Sequence, residues 1–200
     1  MSPGPIASPP RTSQRAFGTD AVLVPIKSFQ AAKERLQGVL SETERVALVK
    51  SMADRVLKAA APLPVAVVCD DVAVADWARQ RGALVVWEPG RGLNGAVQAG
   101  IERFACLGVL RATVVHADLP NAAGIGSLEP FDGVTLVPDR QEDGTNLIRL
   151  PVSCGFRFSY GPGSFGRHVQ ECERLAVDVR VLHSTELAFD IDSPKDLPIS

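Results

Sequence analysis

The chain lacks an excess of charge of either sign. Its 21 Lys and Arg are set against 23 Asp and Glu, a formal net charge of −2. A nucleic-acid binder normally carries a basic surplus or stripe, so no nucleic-acid partner is expected. Long apolar runs are also missing. None approaches the about 18 residues needed to cross a bilayer, so no membrane partner is expected. The four cysteines, Cys69, Cys106, Cys154 and Cys172, form no C-x-x-C pair. Such scattered cysteines fit neither a zinc site nor a small disulfide scaffold, and reduced, partly buried thiols are expected. Residues 1–20 are rich in Pro and Ser and contain no apolar stretch of the kind a signal peptide needs. They are expected to form a disordered leader on a cytoplasmic protein. No repeat or linker interrupts residues 21–200, which are expected to form one domain.

Apolar residues make up 46% of the chain and charged ones 22%, enough to bury a sizeable core. Short apolar runs alternate with helical patterns. The runs at 22–26, 65–69, 84–87 and 113–116 read as buried strands. Between the first two, Ser41 and Glu44 form an S-x-x-E capping box. Val46, Val49, Met52, Ala53, Val56, Leu57 and Ala60 then recur at helical spacing, and Pro62 and Pro64 end the helix. Asp70 and Asp71 precede a short helix through Trp77, and read as an N-cap or as part of a site. A glycine-rich segment from Glu88 leads into a helix with Leu93, Val97, Ile101 and Phe104 on its inner face. Runs at 134–137 and 147–150 flank the turn signal Asp143-Gly144 and read as a hairpin. A helix opening at Ser164 turns Phe165, Val169 and Cys172 inward, and a late strand covers 177–182. Ser193, Pro194 and Asp196 mark a short final helix of a turn or two. The pattern implies an α/β fold, with a mixed, mostly parallel sheet flanked by helices.

Ligands of such sheets bind beyond the carboxyl ends of the strands, and four features fall there. The first is Lys27, Lys33 and Arg35 after the first strand, suited to a polyanion; the alternative is a solvated amphipathic segment. The second is Asp118, two residues past a buried strand and followed by Leu-Pro. It is placed to hold a divalent cation or to serve a turn. The third is Asp190-Ile191-Asp192, where strand-like alternation puts both carboxylates on one side and Ile191 inward. Hard oxygen ligands of this kind suit Mg²⁺; the alternative is support for the helix start that follows. The fourth is Tyr160-Gly161-Pro162-Gly163-Ser164, a turn whose free N–H groups and hydroxyl would receive an anion. Its alternative is an ordinary N-cap. His116 and His168 could touch a site, but a lone histidine is more often a satisfied structural residue.

Taken in order, VPIKSFQAAKERL, GLNGAV, HADLP, DGTN, YGPGSFGRH and DIDSPKDL resemble the guanylyltransferases of deazaflavin (coenzyme F-420) biosynthesis, the CofC/FbiD type. The likeness spans about residues 21–197. It implies a GT-A-like nucleotidyltransferase fold and transfer of GMP from GTP to the phosphate of a small phosphorylated acid, with release of pyrophosphate. The implied acceptors are 2-phospho-L-lactate, phosphoenolpyruvate or 3-phospho-D-glycerate. By resemblance, Asp118, Asp190 and Asp192 would hold Mg²⁺, and Lys27, Asp118 and Asp190 would serve catalysis. Thr145, Gly161 and Ser164 would bind the acceptor acid. Lys27, Lys33 and Arg35 would meet GTP phosphates, and Leu93 and Asn94 would approach the guanine or the ribose. The related molybdopterin guanylyltransferases carry a glycine-rich loop after the first strand, whereas residues 26–36 contain no glycine.

Two other readings remain. One is a nucleotidyltransferase for a different nucleotide or a sugar phosphate, against which the glycine-free loop, Thr145 and Ser164 argue. The other is a nucleotide-sensing module that has lost catalysis, against which Asp118, Asp190 and Asp192 argue. The sequence alone leaves the oligomeric state open.

Overall fold

The computed structural model describes residues 17–197. Its first strand, β1 (Asp20–Pro25), has four central residues buried on both faces. The strand therefore lies mid-sheet, as continuous apolar runs do. β2 (Val65–Cys69) and β3 (Leu84–Trp87) extend the sheet to one side in parallel. On the other side β1 pairs in parallel with β4 (Arg111–Val115). The hairpin expected around Asp143-Gly144 is present as β5 (Val134–Pro138) and β6 (Thr145–Pro151). β6 is antiparallel to both β4 and β5, and β7 (Val179–Val181) pairs in parallel with β5. The sheet order is β3-β2-β1-β4-β6-β5-β7, with β6 the sole strand running against the rest among the described residues.

Helices cover both faces. α1 (Glu42–Ala59) starts at the capping box read from the sequence, with Ser41 and Glu44 satisfying each other's backbone N–H groups. Val49, Met52, Ala53 and Val56 of α1 pack with Val22 and Val24 of β1 and with Trp77 and Ala78 of α2 (Val72–Gln80). Asp71, not Asp70, caps α2 by accepting the Val74 N–H at 3.1 Å. α3 (Gly92–Cys106) and α4 (Ser164–Leu175) cover the opposite face, where Val97, Ile101, Phe104 and Cys172 meet Leu23 and Ala21. Gly100 lets α3 press against β1, since a Cβ there would lie 2.5 Å from the Leu23 Cδ2. Leu23 is fully buried, so it has no room to yield.

Several boundaries differ from the sequence reading. Of the expected leader, residues 1–16 lie outside the described residues, but Phe17 and Asp20 are half-buried against the domain. The Phe17 ring lies 5.6 Å from that of Phe104, and Asp20 opens β1 with its carboxylate 2.9 Å from Arg149. β6 begins two residues before its apolar run, because Thr145 and Asn146 are polar yet buried and paired. The inward face of α4 is Ser164, His168 and Cys172, an i, i+4, i+8 set, while Phe165 and Val169 are half-buried flanks. Leu93 is not on the inner face of α3 but 42% exposed. The final helix is a single 3-10 turn, with the capping box of Ser193 and Asp196 in place. No helix among the described residues is long and apolar enough to cross a membrane.

Candidate active site

The register of the sheet brings distant residues to one edge. β6 runs against β4, so its start lies beside the end of β4, and the His116 N–H donates to the Asn146 carbonyl at 3.0 Å. Thr145 is therefore a neighbour of the segment carrying His116 and Asp118. The loop after β1 starts from the same edge, tied down by the Ile26 N–H on the Val68 carbonyl at 3.0 Å.

Three carboxylates converge here. Asp118, Asp190 and Asp192 each offer an oxygen, all within 4.8 Å of one another. The 190–192 segment is irregular, not a strand, but Ile191 is buried as expected and both acids share a side. Into this cluster reaches Lys33, with Nζ 2.5 Å from Asp118 Oδ2 and 2.6 Å from Asp192 Oδ1. Lys33 has a left-handed backbone, φ 56° and ψ 40°, unusual for a residue with a Cβ. Burial works against its charge, yet Asp118 and Asp192 outweigh it and hold the ammonium above its ordinary pKa. For Asp118, burial opposes ionisation but Lys33 and His116 prevail and hold the carboxyl below its usual range. Asp190 has no such partner. Burial, then repulsion from Asp118 and Asp192, pushes it up to about 6.

The chemistry of this donor set fits a hard divalent cation. Asp118 Oδ1 is buried without a hydrogen-bond partner, and an all-oxygen cluster is the kind that Mg²⁺ uses together with substrate phosphates.

Two neighbouring clefts share Pro25, Ile26, Lys27 and Leu93, and the first reaches the cluster. One, about 200 Å³, continues past Lys33, His116 and Asp118. The other, about 260 Å³, opens toward Asp70, Glu88 and Gly92. Lys27 stands where they meet. Arg35 is exposed on the 3-10 turn Glu34–Leu36 and lines neither cleft. Asp70, read from the sequence as an N-cap or as part of a site, lines the second cleft, and so does Glu88, which the sequence reading did not single out. The available signal was their position just past the ends of β2 and β3.

On the other side of His116 lies the loop before α4. The His116 ring packs 5.0 Å from Tyr160, and Tyr160 meets His168 edge-on at 5.1 Å. Burial lowers the pKa of His116, and its Nε2 is buried without a partner. Gly161 and Gly163 take φ values of 115° and 70°, open to glycine but strained for other residues. Arg167 clamps this loop through the carbonyls of Ser159 at 2.8 Å and Pro162 at 2.6 Å. Asn94, expected near the guanine or the ribose, accepts the Tyr160 N–H through its Oδ1 at 2.6 Å, tying α3 to this loop.

Ser164 is not an N-cap. It is the first residue of α4, preceded by Gly163, and its N–H and that of Phe165 already bond to Gly161 and Asp143 carbonyls. Fewer free N–H groups thus face the loop than its sequence suggests. Side-chain hydroxyls stand beside them: Ser164 Oγ lies 3.5 Å from Thr145 Oγ1, and both residues are buried. Thr145, Ser164 and Gly161 are therefore brought together, as are the three acids and Lys33.

A family model described as "Guanylyl transferase CofC like" matches residues 20–199, nearly the whole chain. The chain belongs to this family of CofC-like guanylyltransferases. It is similar to a phosphoenolpyruvate guanylyltransferase of Rubrobacter xylanophilus, 38% identical over 184 residues, covering 88% of this chain and 90% of that protein. A phosphoenolpyruvate guanylyltransferase of Sphaerobacter thermophilus is 36% identical, over 90% of this chain and 91% of that one. A 2-phospho-L-lactate guanylyltransferase of Methanocaldococcus jannaschii is 27% identical, over 88% and 80%. The fold is shared with a nucleotidyl transferase from Methanothermobacter thermautotroptrophicus, TM-score 0.64 at 11% identity, covering 89% of this chain and 94% of that one. It is shared too with a 4-diphosphocytidyl-2C-methyl-D-erythritol synthase from Anaerococcus prevotii, TM-score 0.61 at 8% identity, over 90% and 93%. The CofC-like chain is thus a nucleotidyltransferase with the GT-A-like sheet that its sequence implies.

Proposed function

We propose that this CofC-like enzyme transfers GMP from GTP to the phosphate of phosphoenolpyruvate, releasing pyrophosphate, with Mg²⁺ held by Asp118, Asp190 and Asp192. The observation that carries the reading is the joining of a three-carboxylate cluster to a cleft walled by Lys27 and Lys33. The relatives at 38% and 36% identity favour phosphoenolpyruvate over 2-phospho-L-lactate or 3-phospho-D-glycerate. A place in deazaflavin coenzyme assembly rests on the family resemblance alone.

In the reaction, an oxygen of the acceptor phosphate attacks the α-phosphorus of GTP. The bond from that phosphorus to the bridging oxygen breaks, and pyrophosphate leaves with the electron pair. The attacking oxygen is already ionised at neutral pH, so no general base is needed and His116 has no proton to take. The difficulty is electrostatic: two highly charged anions must approach. When bound, the metal ion supplies charge neutralisation at the phosphoryl oxygens. Lys27, at the junction of the clefts, is placed to add positive charge along the triphosphate. Asp70 and Glu88 wall the second cleft, where their carboxylates can accept the N1–H and 2-amino protons of guanine. Adenine offers no such pair of donors on that edge. Thr145 and Ser164 orient the acceptor, so that much of the rate gain is positioning.

The test is to incubate the protein with GTP, Mg²⁺ and each of the three acids and to follow pyrophosphate. Release with phosphoenolpyruvate in clear preference is expected. Silence with all three acids would reject the reading, and a preference for another acid would reject the choice of acceptor.

A further inference from the structure

His168 is fully buried on α4, and nothing in the reaction above uses it. Its two ring nitrogens have different partners. Nε2 lies 3.0 Å from the Ser159 backbone N–H, and Nδ1 lies 2.9 Å from Thr145 Oγ1. A backbone N–H can only donate, so Nε2 must present its lone pair. A neutral imidazole then has its proton on Nδ1. That Nδ1–H has one acceptor in reach, the Thr145 hydroxyl oxygen. Thr145 thus receives a hydrogen bond from behind, and its own proton is turned away from His168. Ser164 Oγ, at 3.5 Å, is too far to hold that proton well, since such bonds between hydroxyls are normally about 3.0 Å or shorter.

We infer that His168 is a positioning residue that fixes the Thr145 hydroxyl as a donor toward the acceptor acid, so that Thr145 and Ser164 select a ligand presenting anionic oxygens. This rests on the proposed function for its ligand but not for its tautomer. The device is a chain of directed bonds: the Ser159 N–H to His168 Nε2, His168 Nδ1–H to Thr145, and the Thr145 O–H to the ligand. Ser159 belongs to the loop that Arg167 clamps, so the same imidazole ties the loop's position to the hydroxyl's direction. A protonated His168 would break the chain at Ser159, and the buried aromatic surroundings of Phe156 and Tyr160 oppose that charge.

Two conservative variants separate positioning from packing. In His168→Asn the amide nitrogen takes roughly the place of Nδ1 and keeps a donor toward Thr145. In His168→Gln the amide oxygen takes roughly the place of Nε2 and keeps an acceptor for Ser159, but the donor is lost. His168→Gln should raise the KM for phosphoenolpyruvate about tenfold or more. The Kd of GTP, measured by calorimetry without acceptor, should stay within about threefold in both variants, and the rise in KM should be clearly smaller in His168→Asn, which keeps the donor to Thr145 but loses the acceptor for Ser159, than in His168→Gln. Equal KM rises in both variants, tracking their loss of Tm, would mean that His168 only packs; so would no rise in either. Nitrogen-15 NMR of the full chain gives a readout free of turnover: a neutral ring protonated at Nδ1 is expected. A ring protonated at Nε2 would overturn the inference even in a fully active enzyme. A wild-type protein that releases no pyrophosphate with any acid fails the functional reading instead, and the NMR result still decides the tautomer.

Discussion

Lys33 Nζ sits 2.5 Å from Asp118 Oδ2, bridging the first carboxylate of the cluster to Asp192 at 2.6 Å. An ammonium here balances charge that would otherwise repel, in the place where the proposed metal would bring two further positive charges. A metal held there would compete with the lysine for the same oxygens, and taking them would leave Lys33 to turn to phosphate. Lys33→Met should destabilise the protein in the presence of a chelator by about 2 kcal/mol, about 4–8 °C in Tm for a chain of this size. It should also give a larger Mg²⁺-induced rise in Tm than the wild type, because metal no longer has to displace a cation. Thermal melts with and without Mg²⁺ measure both. An unchanged Mg²⁺ response would mean that lysine and metal do not share the site.

Asp118 is the cluster member with an unpartnered buried oxygen and with the strongest pull toward ionisation, from Lys33 and His116. Asp118→Asn keeps the shape and removes the charge. The expected loss in kcat is about a hundredfold to a thousandfold, about 3–4 kcal/mol of transition-state stabilisation. Mn²⁺ binding followed by electron paramagnetic resonance should weaken in parallel. Normal turnover in this variant would remove Asp118 from the metal site.

Much of this architecture is legible in the chain, for identifiable reasons. The capping box of Ser41 and Glu44, the bounds of β2 and β3, and the capping box of Ser193 and Asp196 depend on neighbours in sequence, and these local signals are strong. The three acids could be placed at one sheet edge because each follows a buried run or precedes a cap. The placement of Lys33 could not be read this way. It depends on a left-handed backbone at a non-glycine residue and on a partner 85 positions away. The start of β6 was hidden because Thr145 and Asn146 are polar residues buried by pairing, not by hydropathy. Ser164 misleads for the opposite reason: its residue type is a good N-cap, but the preceding glycine takes that position and turns the hydroxyl to Thr145.

Asn94 distinguishes a reading from resemblance from one based on contacts. Its Oδ1 holds the Tyr160 N–H, so Asn94→Ala leaves that buried donor unpaired and loosens the loop carrying Gly161. The expected effect is about tenfold on the acceptor KM, with a smaller change in GTP affinity. Should GTP binding suffer more than acceptor binding, Asn94 would belong with the nucleotide, as the family pattern implies.

Ser164→Ala removes a buried hydroxyl that has only a 3.5 Å contact within the protein. Little stability depends on it, so Tm should change by less than about 2 °C. The KM for the acceptor should rise about tenfold or more, as expected when a hydrogen bond to a charged ligand is lost. The Kd of GTP should hold. A large fall in Tm with an unchanged acceptor KM would make Ser164 a packing residue.

His168 also makes the fold sensitive to pH. Burial, followed by the Arg167 and His116 charges, lowers its pKa from 6.5 to about 4, with Glu171 opposing weakly. Thr145 and Tyr160 face it from the other elements and carry no charge at these pH values. Because the folded pKa is depressed, the unfolded chain binds the proton first as pH falls. Stability from this residue is thus complete above about pH 6.5, declines as pH drops, and levels off below about pH 4, a total of about 3 kcal/mol. Asp190 acts in the opposite direction. Its pKa is raised to about 6, so the folded protein takes up that proton first and gains stability as pH falls through 6. Comparing wild type with His168→Asn cancels the Asp190 contribution, since both proteins keep it. Urea melts from pH 7.5 to 4.0 should show the wild type losing about 3 kcal/mol more than the variant across that range. Parallel curves would mean that His168 titrates alike in the folded and unfolded chain.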